Sequence, residues 1–531
     1  MYDIIIKNGL IVDGLRNKPY KACIAILDGK IAKIASQIDK EAKRIIDANN
    51  LVVSPGFIDI HTHSDVSFII DDRSESKIYQ GVTTEVVGEC GYTMYPAAPE
   101  NIDNLRAYLR NSKNIDTDYY ASCSFVQFLD KAKENNKKPA NNWLTLIGHN
   151  ALRTSVMGFE GRKATKDEIK QMVDLLDQEM KAGAWGLSLG LGYAPGIFAD
   201  IEELVALGHV VAKYHGMVAS HMRNQNDYIY DALDEMFEIN KQTGAHVHIA
   251  HLKIGRKHNW GTSDKVLKHI RDAQQRGINV TCDMYPYEAA SSGITNVLPK
   301  WTLAGGVEKA AERFLGPERE LIMAELNEKF QEDADGDRVY IVSTKGLYPP
   351  ADDKTITELA KELNITMAEA IEKVIVETKG HCSQINFAMH ENDVKNFISE
   401  IDIAIGSDGS GMPLDPKLVD GKPHPRNFGT FPRFLKMARE HKLMSLEDAV
   451  YKMTALSACL MGIEDRGVLK EGYLADITVF DKDKVSDTAT YRQPFAKPIG
   501  IDYVIVNGEI AVDNGEQTKS RNGQFIIKNQ K

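Results

Sequence analysis

Two histidines stand one residue apart in the segment GFIDIHTHSD, which covers residues 56–65. An apolar run ends here, as a β-strand would. Successive side chains of a strand point to opposite faces, so His61 and His63 point one way and Thr62 the other. Two imidazoles on one side of a strand end could bind a metal ion, but they could equally be ordinary polar residues at a strand terminus. The spacing alone is a weak indication of a metal site, so the rest of the chain has to decide.

Other residue types that ligate metals also stand where apolar runs end. They are Cys90 in EVVGEC, His221 in MVASHMR, His251 in VHIAHLK and Asp408 in IAIGSDG. Each has a plain explanation by itself, because a buried histidine often only makes hydrogen bonds, a buried thiol behaves as a small hydrophobe, and Asp in a turn often bonds its own backbone. With His61 and His63 they occupy the same end of five predicted strands. We therefore interpret the six residues as one metal-binding group.

The elements that must position these residues are eight apolar runs that alternate with amphipathic helices. In one such helix Thr165 and Glu168 form a capping-box pattern, and apolar residues then recur at helical spacing as far as Met180. Strands that alternate with helices, with polar residues at the strand ends, predict a (β/α)8 TIM-like barrel whose active site lies at the carboxyl ends of the strands. The eight runs end at His63, Cys90, Asn150, Tyr193, Arg223, Lys253, Tyr287 and Gly409.

Both ends of the chain read as short strands separated by turns. The turn patterns are Asn8-Gly9, Asp28-Gly29, Asn507-Gly508 and Asn514-Gly515. We predict that residues 1–54 and 463–531 together build one small β-sandwich domain, and that residues 55–462 form the catalytic barrel. Two separate β decorations are the alternative.

The long gap between the seventh and eighth predicted strands requires an insertion, which we place at about residues 289–350. Its helix-rich composition suits a lid over the barrel mouth. Plain structural padding is an equally good interpretation.

Composition and charge restrict the partners. The chain has 531 residues and a net charge of −11, which argues against nucleic acid or an anionic membrane as the main partner. No secretory signal and no apolar run of about 18 residues is seen. Six cysteines without CxxC spacing indicate free thiols in a reducing compartment. We predict a cytoplasmic protein that binds a small molecule and no nucleic acid or membrane; a homo-oligomer is compatible with the sequence.

Three further histidines test the metal interpretation. If His251 points into the barrel mouth, the alternation of a strand turns His246 and His248 towards the surrounding helices, so we give those two a structural role. His149 also stands at a strand end, and we leave it outside the predicted ligand group.

Taken together, these residues make the chain resemble the amidohydrolase superfamily and, within it, the D-aminoacylases (N-acyl-D-amino-acid deacylases). The resemblance covers nearly the whole length, and it implies a metal-bearing barrel plus a small β-sandwich from both ends. In GLSLGLGY, the fourth strand, there is no lysine of the kind that is carboxylated in hydantoinase and dihydroorotase relatives. Instead, Cys90 ends the second strand, and a cysteine at this position is the D-aminoacylase pattern. The supporting segments are GFIDIHTHSD, GVTTEVVGECGYTMYP, ASHMRN, IAHLKIGRKHNWG, DMYPYEAASS, GSDGSG with PHPRNFGTFPR, and RGVLKEGYLADITVFD.

The resemblance also implies a metal arrangement. A tightly held Zn²⁺ would be bound by Cys90, His221 and His251, since a thiolate is a soft anionic ligand that suits zinc. A neighbouring, weaker metal position would be lined by His61, His63 and Asp408. Zinc would activate the attacking water, and Asp408 would act as the catalytic residue that transfers its proton to the departing amine.

By the same resemblance, Lys253, Tyr285, Ser291 and Arg426 would bind the α-carboxylate of the substrate. Lysine supplies a point charge and arginine can hold a carboxylate with two hydrogen bonds. Solvated loop residues are the plain alternative for each. The predicted function is zinc-dependent hydrolysis of N-acyl-D-amino acids to a carboxylate and a free D-amino acid, with dipeptides that end in a D-residue as a further substrate class.

Two departures from the family bear on the side-chain preference. Glu89 precedes the metal cysteine where relatives usually carry asparagine, and the loop between Asp408 and Arg426 is longer than expected. The alternative function is that of a cyclic amidohydrolase of the hydantoinase or dihydroorotase type. A third interpretation is a barrel that has become a scaffold protein without activity. Such a protein would have lost its metal ligands, whereas all six expected ligand positions are filled here.

Overall fold

The computed structural model describes residues 1–109, 116–332 and 336–529, with the backbone alone described at 331–332. Both ends of the chain contribute to one nine-stranded sheet. The two parts meet where Val52–Pro55 pairs antiparallel with Ile477–Phe480. This arrangement confirms the prediction of a β-sandwich domain built from both termini. Its strands are Tyr2–Ile11, Tyr20–Leu27, Lys30–Ala35, Ala42–Asp47, Val52–Pro55, Ile477–Phe480, Ile501–Val506, Glu509–Asp513 and Glu516–Gln517.

Three of the four predicted turns connect strands of this sheet, at Asp28-Gly29, Asn507-Gly508 and Asn514-Gly515. The prediction at Asn8-Gly9 was wrong. These two residues lie inside the strand Tyr2–Ile11, where the pairing register shifts between Ile6 and Gly9. A β-bulge accommodates the positive φ of Asn8 without ending the strand.

Eight parallel strands form the barrel and confirm the predicted (β/α)8 fold. The first and eighth strands close it, because Thr62 forms a parallel bridge with Gly409 and the His63 amide donates to the Gly409 carbonyl at 2.9 Å. In chain order the barrel strands are Phe57–Asp59, Val82–Val87, Asn142–Thr145 continued by Ile147–Gly148, Gly186–Gly190, Met217–His221, His246–Ile249, Val280–Met284 and Ile403–Ile405.

Helices follow the barrel strands and cover the outside. The helix Lys166–Lys181 has the predicted capping box of Thr165 and Glu168, and it buries Met172, Leu176 and Met180. The α-helices that accompany the barrel are Ser67–Ile70, Glu75–Ile78, Ile102–Leu109, Thr117–Tyr120, Phe125–Glu134, His149–Met157, Lys166–Lys181, Ile201–Lys213, Ile229–Thr243, Ser263–Gln275, Glu391–Ser399, Arg426–Glu440, Leu446–Met453 and Ala455–Met461.

An inserted unit stands between the seventh and eighth barrel strands. Its four strands are Ala290–Gly293, Val339–Ser343, Lys354–Thr355 and Ser383–Asn386, and its α-helices are Val307–Glu312, Arg319–Glu332, Ile356–Leu363 and Met367–Thr378. Phe314, Ile341 and Ile371 belong to a hydrophobic core of its own.

The inserted unit is longer than predicted. Because Ala290–Gly293 pairs with Ser383–Asn386, the chain leaves the unit only after Asn386, well past the predicted end at residue 350. The other predicted domain bounds, 1–54, 55–462 and 463–531, stay predictions. Within the described residues, no helix combines the length and the apolar character that crossing a membrane requires.

Candidate metal centre and active site

Four buried side chains from four barrel strand ends meet at the mouth of the barrel. His61, Cys90, His251 and Asp408, which we call the donor cluster, each offer one ligand atom, and these atoms lie within 4.8 Å of one another. The Cys90 Sγ atom is 3.5 Å from His61 Nε2 and 3.4 Å from His251 Nε2. The predicted convergence of distant segments therefore occurs.

The backbone at three of these residues has a left-handed conformation. The φ angle is 54° at Cys90, 38° at His251 and 51° at Asp408. A non-glycine residue adopts this conformation at a cost of roughly 1–2 kcal/mol. Each residue follows shortly after its strand, so the chain leaves the strand path where a donor side chain has to turn towards the others.

This backbone change corrects the prediction for His248. Its Nε2 lies 2.9 Å from Asp283 Oδ2, which is also 3.2 Å from His61 Nδ1. His248 thus faces the inside of the barrel, as His251 does, and not the helices. The alternation rule fails because the strand ends at Ile249 and the left-handed turn at His251 intervenes. His246 lies on the same face as His248, with its Nε2 2.7 Å from Thr281 Oγ1.

His221 and His63 flank the donor cluster on different sides. The Nδ1 atom of His221 is 2.9 Å from His251 Nε2 and 3.8 Å from Cys90 Sγ. His63 Nε2 is 3.0 Å from Asp408 Oδ1, and its side chain is 26 % exposed. All six predicted ligands therefore lie together, although the four closest donors mix the two sets that the sequence assigned to a tight and a weak position.

The charge state of the free site follows from burial. Burial raises the pKa of the Cys90 thiol to about 11, so the thiol is protonated at neutral pH when no cation is bound. Burial, together with the nearby ammonium of Lys253, lowers the pKa of His221 and of His251 well below its usual value. For His61, by contrast, burial is overcome by Asp283, which raises the pKa of that imidazole. The neutral imidazoles of His221 and His251, with a thiol that gives up its proton to a metal, are donors that zinc prefers, so these residues fit zinc.

Asp408 stays ionised despite its position. Burial by itself would raise the pKa of this carboxyl, but the positive charge of Arg426, the ring of His251 and a hydrogen bond from His63 hold it well below its usual range. The Arg426 Nη1 atom lies 2.8 Å from Asp408 Oδ2. The carboxylate is therefore ionised at any ordinary pH, which is the state that a proton acceptor requires.

Sequence reasoning missed Asp283, which supports two donor residues. Besides its contacts to His61 and His248, it accepts a hydrogen bond from the backbone amide of His251 at 3.0 Å. Burial would raise its pKa, but the His61 charge and the two imidazole contacts lower it. One indication of this role was present in the sequence. Asp283 stands two residues before Tyr285 in DMYPY, so the alternation of a strand places both side chains on the same face. Gln225 was missed as well; its Nε2 is 3.3 Å from His251 Nδ1.

The fourth strand approaches the donor cluster without a functional side chain. An added Cβ at Gly192 would stand 2.7 Å from His221 Nε2, so only glycine leaves room for that imidazole. His149, outside the predicted ligand group, pairs instead with buried Glu203 at 2.7 Å.

The predicted carboxylate-binding residues lie beside the donor cluster. The ring of Tyr285 has the Lys253 Nζ atom 5.5 Å from its centroid and the Arg426 guanidinium carbon 5.0 Å from it. Within the described chain the buried Tyr285 hydroxyl has no hydrogen-bond partner. Ser291 stands across the cavity on the inserted strand Ala290–Gly293. Two cations and the Tyr285 hydroxyl are thus available on the donor side of the cavity, and the Ser291 hydroxyl is available on the wall that the inserted unit supplies.

A cavity of about 230 Å³ opens onto Asp408 and His221. The barrel mouth supplies one wall, including Tyr193 and Lys253, and the inserted unit supplies the other. Residues of the unit that line the cavity include Ser291, Asn296, Lys300, Phe330 and Gln384. The unit is therefore more than padding, since it forms half of the binding space.

The two departures noted in the sequence have structural consequences. Glu89 is buried, its Oε2 atom has no partner among the described residues, and burial raises its pKa to about 8. In the free site this carboxyl therefore keeps its proton to a higher pH than an exposed glutamate does. The long loop after Asp408 contacts the inserted unit, where Lys422 Nζ is 2.6 Å from Asp353 Oδ2.

A closed (β/α)8 barrel with thiol, imidazole and carboxylate donors gathered at its mouth defines a metal-dependent hydrolase. The chain belongs to the Amidohydrolase family, whose sequence profile matches residues 44–512. The D-aminoacylase of Alcaligenes xylosoxydans xylosoxydans is 33% identical over 513 residues, which is 96% of this chain and 94% of the relative.

Two solved structures agree in fold over nearly the full length. One, of D-aminoacylase, concerns a binuclear metal center with one-metal activation and second-metal attenuation. It has a TM-score of 0.83 and 31% identity, and covers 100% of both chains. The other is the N-acyl-D-glutamate deacylase of Bordetella bronchiseptica in complex with zinc and a phosphonate that mimics the tetrahedral intermediate. It has a TM-score of 0.81 and 30% identity, and covers 99% of both chains.

The alternative function has weaker support. The L-hydantoinase of Arthrobacter aurescens is 19% identical with a TM-score of 0.57 and covers 99% of this chain, which is a likeness of fold alone.

Proposed function

We propose that the protein hydrolyses the amide bond of N-acyl-D-amino acids and releases a carboxylate and a free D-amino acid. The observation that carries this proposal is the donor cluster of His61, Cys90, His251 and Asp408 beside two cations that share the ring of Tyr285. Such a site suits a substrate with an amide carbonyl near one end and a carboxylate near the other. The relatives named for deacylation of N-acyl-D-amino acids support the same activity. Dipeptides that end in a D-residue fit the same chemistry.

Zinc is the proposed metal. We propose that Cys90, His221 and His251 hold one ion tightly, and that His61, His63 and Asp408 line a second, weaker position. The soft thiol among neutral imidazoles supports the first assignment, and the binuclear center of the related D-aminoacylase supports a second position. Zinc supplies Lewis acidity, which polarises a carbonyl and lowers the pKa of water.

Asp408 is the proposed catalytic residue. Its carboxylate accepts the proton of the attacking water and passes it to the departing amine nitrogen. The ion pair with Arg426 keeps the carboxylate ionised and orients one of its oxygens, which leaves Oδ1 towards His63 and the donor cluster. General acid–base catalysis of this kind typically contributes about 10²- to 10⁴-fold.

The substrate carboxylate is proposed to bind to Lys253, Tyr285, Ser291 and Arg426. Arg426 has donors to spare, because its Nε has no partner within the described residues while Nη1 faces Asp408. Binding one end of the substrate here fixes the distance between its α-carbon and the donor cluster. The position of the carboxylate-binding residues relative to the donor cluster would then determine which configuration at the α-carbon is accepted.

We also propose a cytoplasmic enzyme that acts on a small molecule and requires neither nucleic acid nor membrane. The six cysteines support a reducing compartment, since all are free thiols. A homo-oligomer remains compatible with this proposal.

The test is a paired panel of N-acetyl-D- and N-acetyl-L-amino acids with purified enzyme, alongside zinc quantification. We expect turnover of D-substrates only, in proportion to bound zinc. Hydantoin and dihydroorotate are the controls for the alternative function. Turnover of these cyclic amides without turnover of N-acetyl-D-amino acids would overturn the proposal.

A further inference from the structure

A fully buried lysine lies beside two carboxylates of the barrel. Lys77 belongs to the short helix Glu75–Ile78, between the first and second barrel strands, and its side chain has no exposed surface. Its Nζ atom is 2.7 Å from Asp59 Oδ2 and 3.6 Å from Glu85 Oε2. A charge without a partner is costly to remove from water, so pairing with carboxylates is what burial requires. Charge neutralisation explains these two contacts and no others.

Two of the three N–H donors of this ammonium serve a different purpose. The Nζ atom donates to the hydroxyl of Ser407 at 2.7 Å and to the carbonyl of Gly409 at 3.3 Å. These residues stand on either side of Asp408 in the chain. Lys77 therefore does more than balance carboxylates, since it ties together both neighbours of the proposed catalytic residue.

The turn around Asp408 needs such support. Its backbone is left-handed, with a φ angle of 51°, and a conformation of this kind persists only where the surrounding structure holds it. The amide of Ser407 donates to Asp59 Oδ1 at 2.8 Å, and the Ser407 hydroxyl accepts from the Gly409 amide at 3.0 Å. The Asp59 carboxylate and the Lys77 ammonium thus hold the same turn from two atoms of one serine.

The contacts of Lys77 also reach the strand end that carries His63. The Gly409 carbonyl that accepts from Lys77 accepts from the His63 amide as well, at 2.9 Å. Ser64, the next residue, donates its hydroxyl hydrogen to Glu85, the second carboxylate beside Lys77. The ammonium therefore connects the end of the first barrel strand with the end of the eighth, where the barrel closes.

Resting on the proposed function, in which Asp408 transfers the proton, we propose that Lys77 is a positioning residue for the reaction. Through Ser407 and Gly409 it fixes the carboxylate of Asp408 at the donor cluster. A misplacement of about 1 Å can cost roughly 10²-fold in rate. Loss of the ammonium should therefore lower kcat although the carboxylate itself is still present.

The first experiment is a double-mutant cycle, with kcat measured on an N-acetyl-D-amino acid by zinc-loaded enzyme. Lys77→Met removes the charge of a side chain of similar length and should lower kcat by about 10- to 100-fold. In an Asp408→Asn background the same substitution should lower kcat by less than about threefold, because the group that it misplaces is already absent. An equal decrease in both backgrounds, or none in either, would overturn the inference.

Two further variants keep the test decisive if Lys77→Met does not fold. Ser407→Ala retains all the buried charges and removes only the hydroxyl between Lys77 and the turn, so it should lower kcat where Asp408 is present and not in the Asp408→Asn background. Lys452→Met is the matched control, because Lys452 is also a fully buried lysine and its Nζ donates to the Ile398 carbonyl. This control should retain the wild-type kcat.

Crystal structures make the result independent of turnover. In zinc-loaded Lys77→Met or Ser407→Ala, the distance between Arg426 Nη1 and Asp408 Oδ2, which is 2.8 Å here, should lengthen beyond about 3.5 Å. Lys452→Met should keep the short distance. An unmoved Asp408 carboxylate in both test variants would overturn the inference. Absence of any activity on N-acyl-D-amino acids would instead overturn the proposed function, and the structural comparison would still decide the role of Lys77.

Discussion

The guanidinium of Arg426 and the carboxylate of Asp408 form a buried ion pair, with Nη1 and Oδ2 2.8 Å apart. The proposed proton carrier and the proposed anchor of the substrate carboxylate are therefore electrostatically coupled. A change at either residue should be felt in both catalysis and binding, and the two effects can be separated by pH and by substrate charge.

Replacing Arg426 by leucine should move the acidic limb of the kcat/KM profile to higher pH. The positive charge holds the pKa of Asp408 below its usual range, so its removal raises that pKa. Activity is lost as pH falls through the pKa of a required carboxylate, and the variant should lose it at a higher pH than wild type. Arg426→Lys should keep the acidic limb at low pH. Arg439→Leu, on the same helix but bonded to the Lys482 and Val485 carbonyls, should leave the profile unchanged. Superimposable profiles for wild type and Arg426→Leu would exclude this coupling.

The same variant should also distinguish substrates. We expect the KM of Arg426→Leu to rise most for substrates with a free α-carboxylate and least for the corresponding amides, because only the former lose an ionic contact. Steady-state kinetics on both forms provides the measurement. An equal rise for both would show that Arg426 does not contact the substrate carboxylate.

Cys90→Ala should lose the tightly held zinc and nearly all activity. The Cys90 Sγ atom lies 3.5, 3.8 and 3.4 Å from ring nitrogens of His61, His221 and His251. Its removal leaves these imidazoles without a soft anionic donor beside them. The decrease in kcat/KM should exceed the roughly 10- to 100-fold that loss of an outer partner costs. Zinc content after gel filtration is the readout. Cys459→Ala, at an exposed thiol, is the control. A Cys90→Ala protein with full zinc and normal turnover would refute the assignment.

Asp408→Asn should retain the fold and lose about 10²- to 10⁴-fold in kcat, since the amide cannot accept a proton. Circular dichroism and zinc content establish that the variant is folded and loaded. Asp402→Asn, which changes an exposed carboxylate before the same strand, is the matched control. A wild-type kcat in the Asp408 variant would remove this residue from proton transfer.

Asp283→Asn should weaken zinc binding by about 10- to 100-fold without contacting the metal. The carboxylate holds His61 Nδ1 and the His251 amide, so the neutral amide would orient the ligands less firmly. Competition with a chelator measures the affinity, and excess zinc should restore much of the turnover. Asp272→Asn, on the outer helix Ser263–Gln275, should behave as wild type. Unchanged zinc affinity in Asp283→Asn would contradict a positioning role.

The barrel and the candidate ligands could be predicted because the six ligands stand at the ends of five apolar runs, a local pattern that needs no knowledge of contacts. The predictions that failed concern residues whose positions depend on backbone turns and long-range contacts, which such local patterns do not contain. His248 was misplaced because the left-handed backbone at His251 interrupts strand alternation. Asp283 was missed because its role arises only where closure of the barrel brings the seventh strand close to the end of the first, beside His61.

Two further errors have the same origin. The inserted unit was predicted too short, since its end is set by pairing between Ala290–Gly293 and Ser383–Asn386, about ninety residues apart in the numbering. Asn8-Gly9 was predicted as a turn, but the neighbouring strands of the terminal sheet continue on either side of it. In both cases a long-range partner decided the local structure.

The inserted unit folds around its own core, yet it lends Ser291 and Lys300 to a cavity whose donors all belong to the barrel. One wall of the binding cavity is thus encoded apart from the residues that carry the chemistry. Substitutions in the inserted unit can therefore change which substrates fit the cavity while the donor residues of the barrel stay the same.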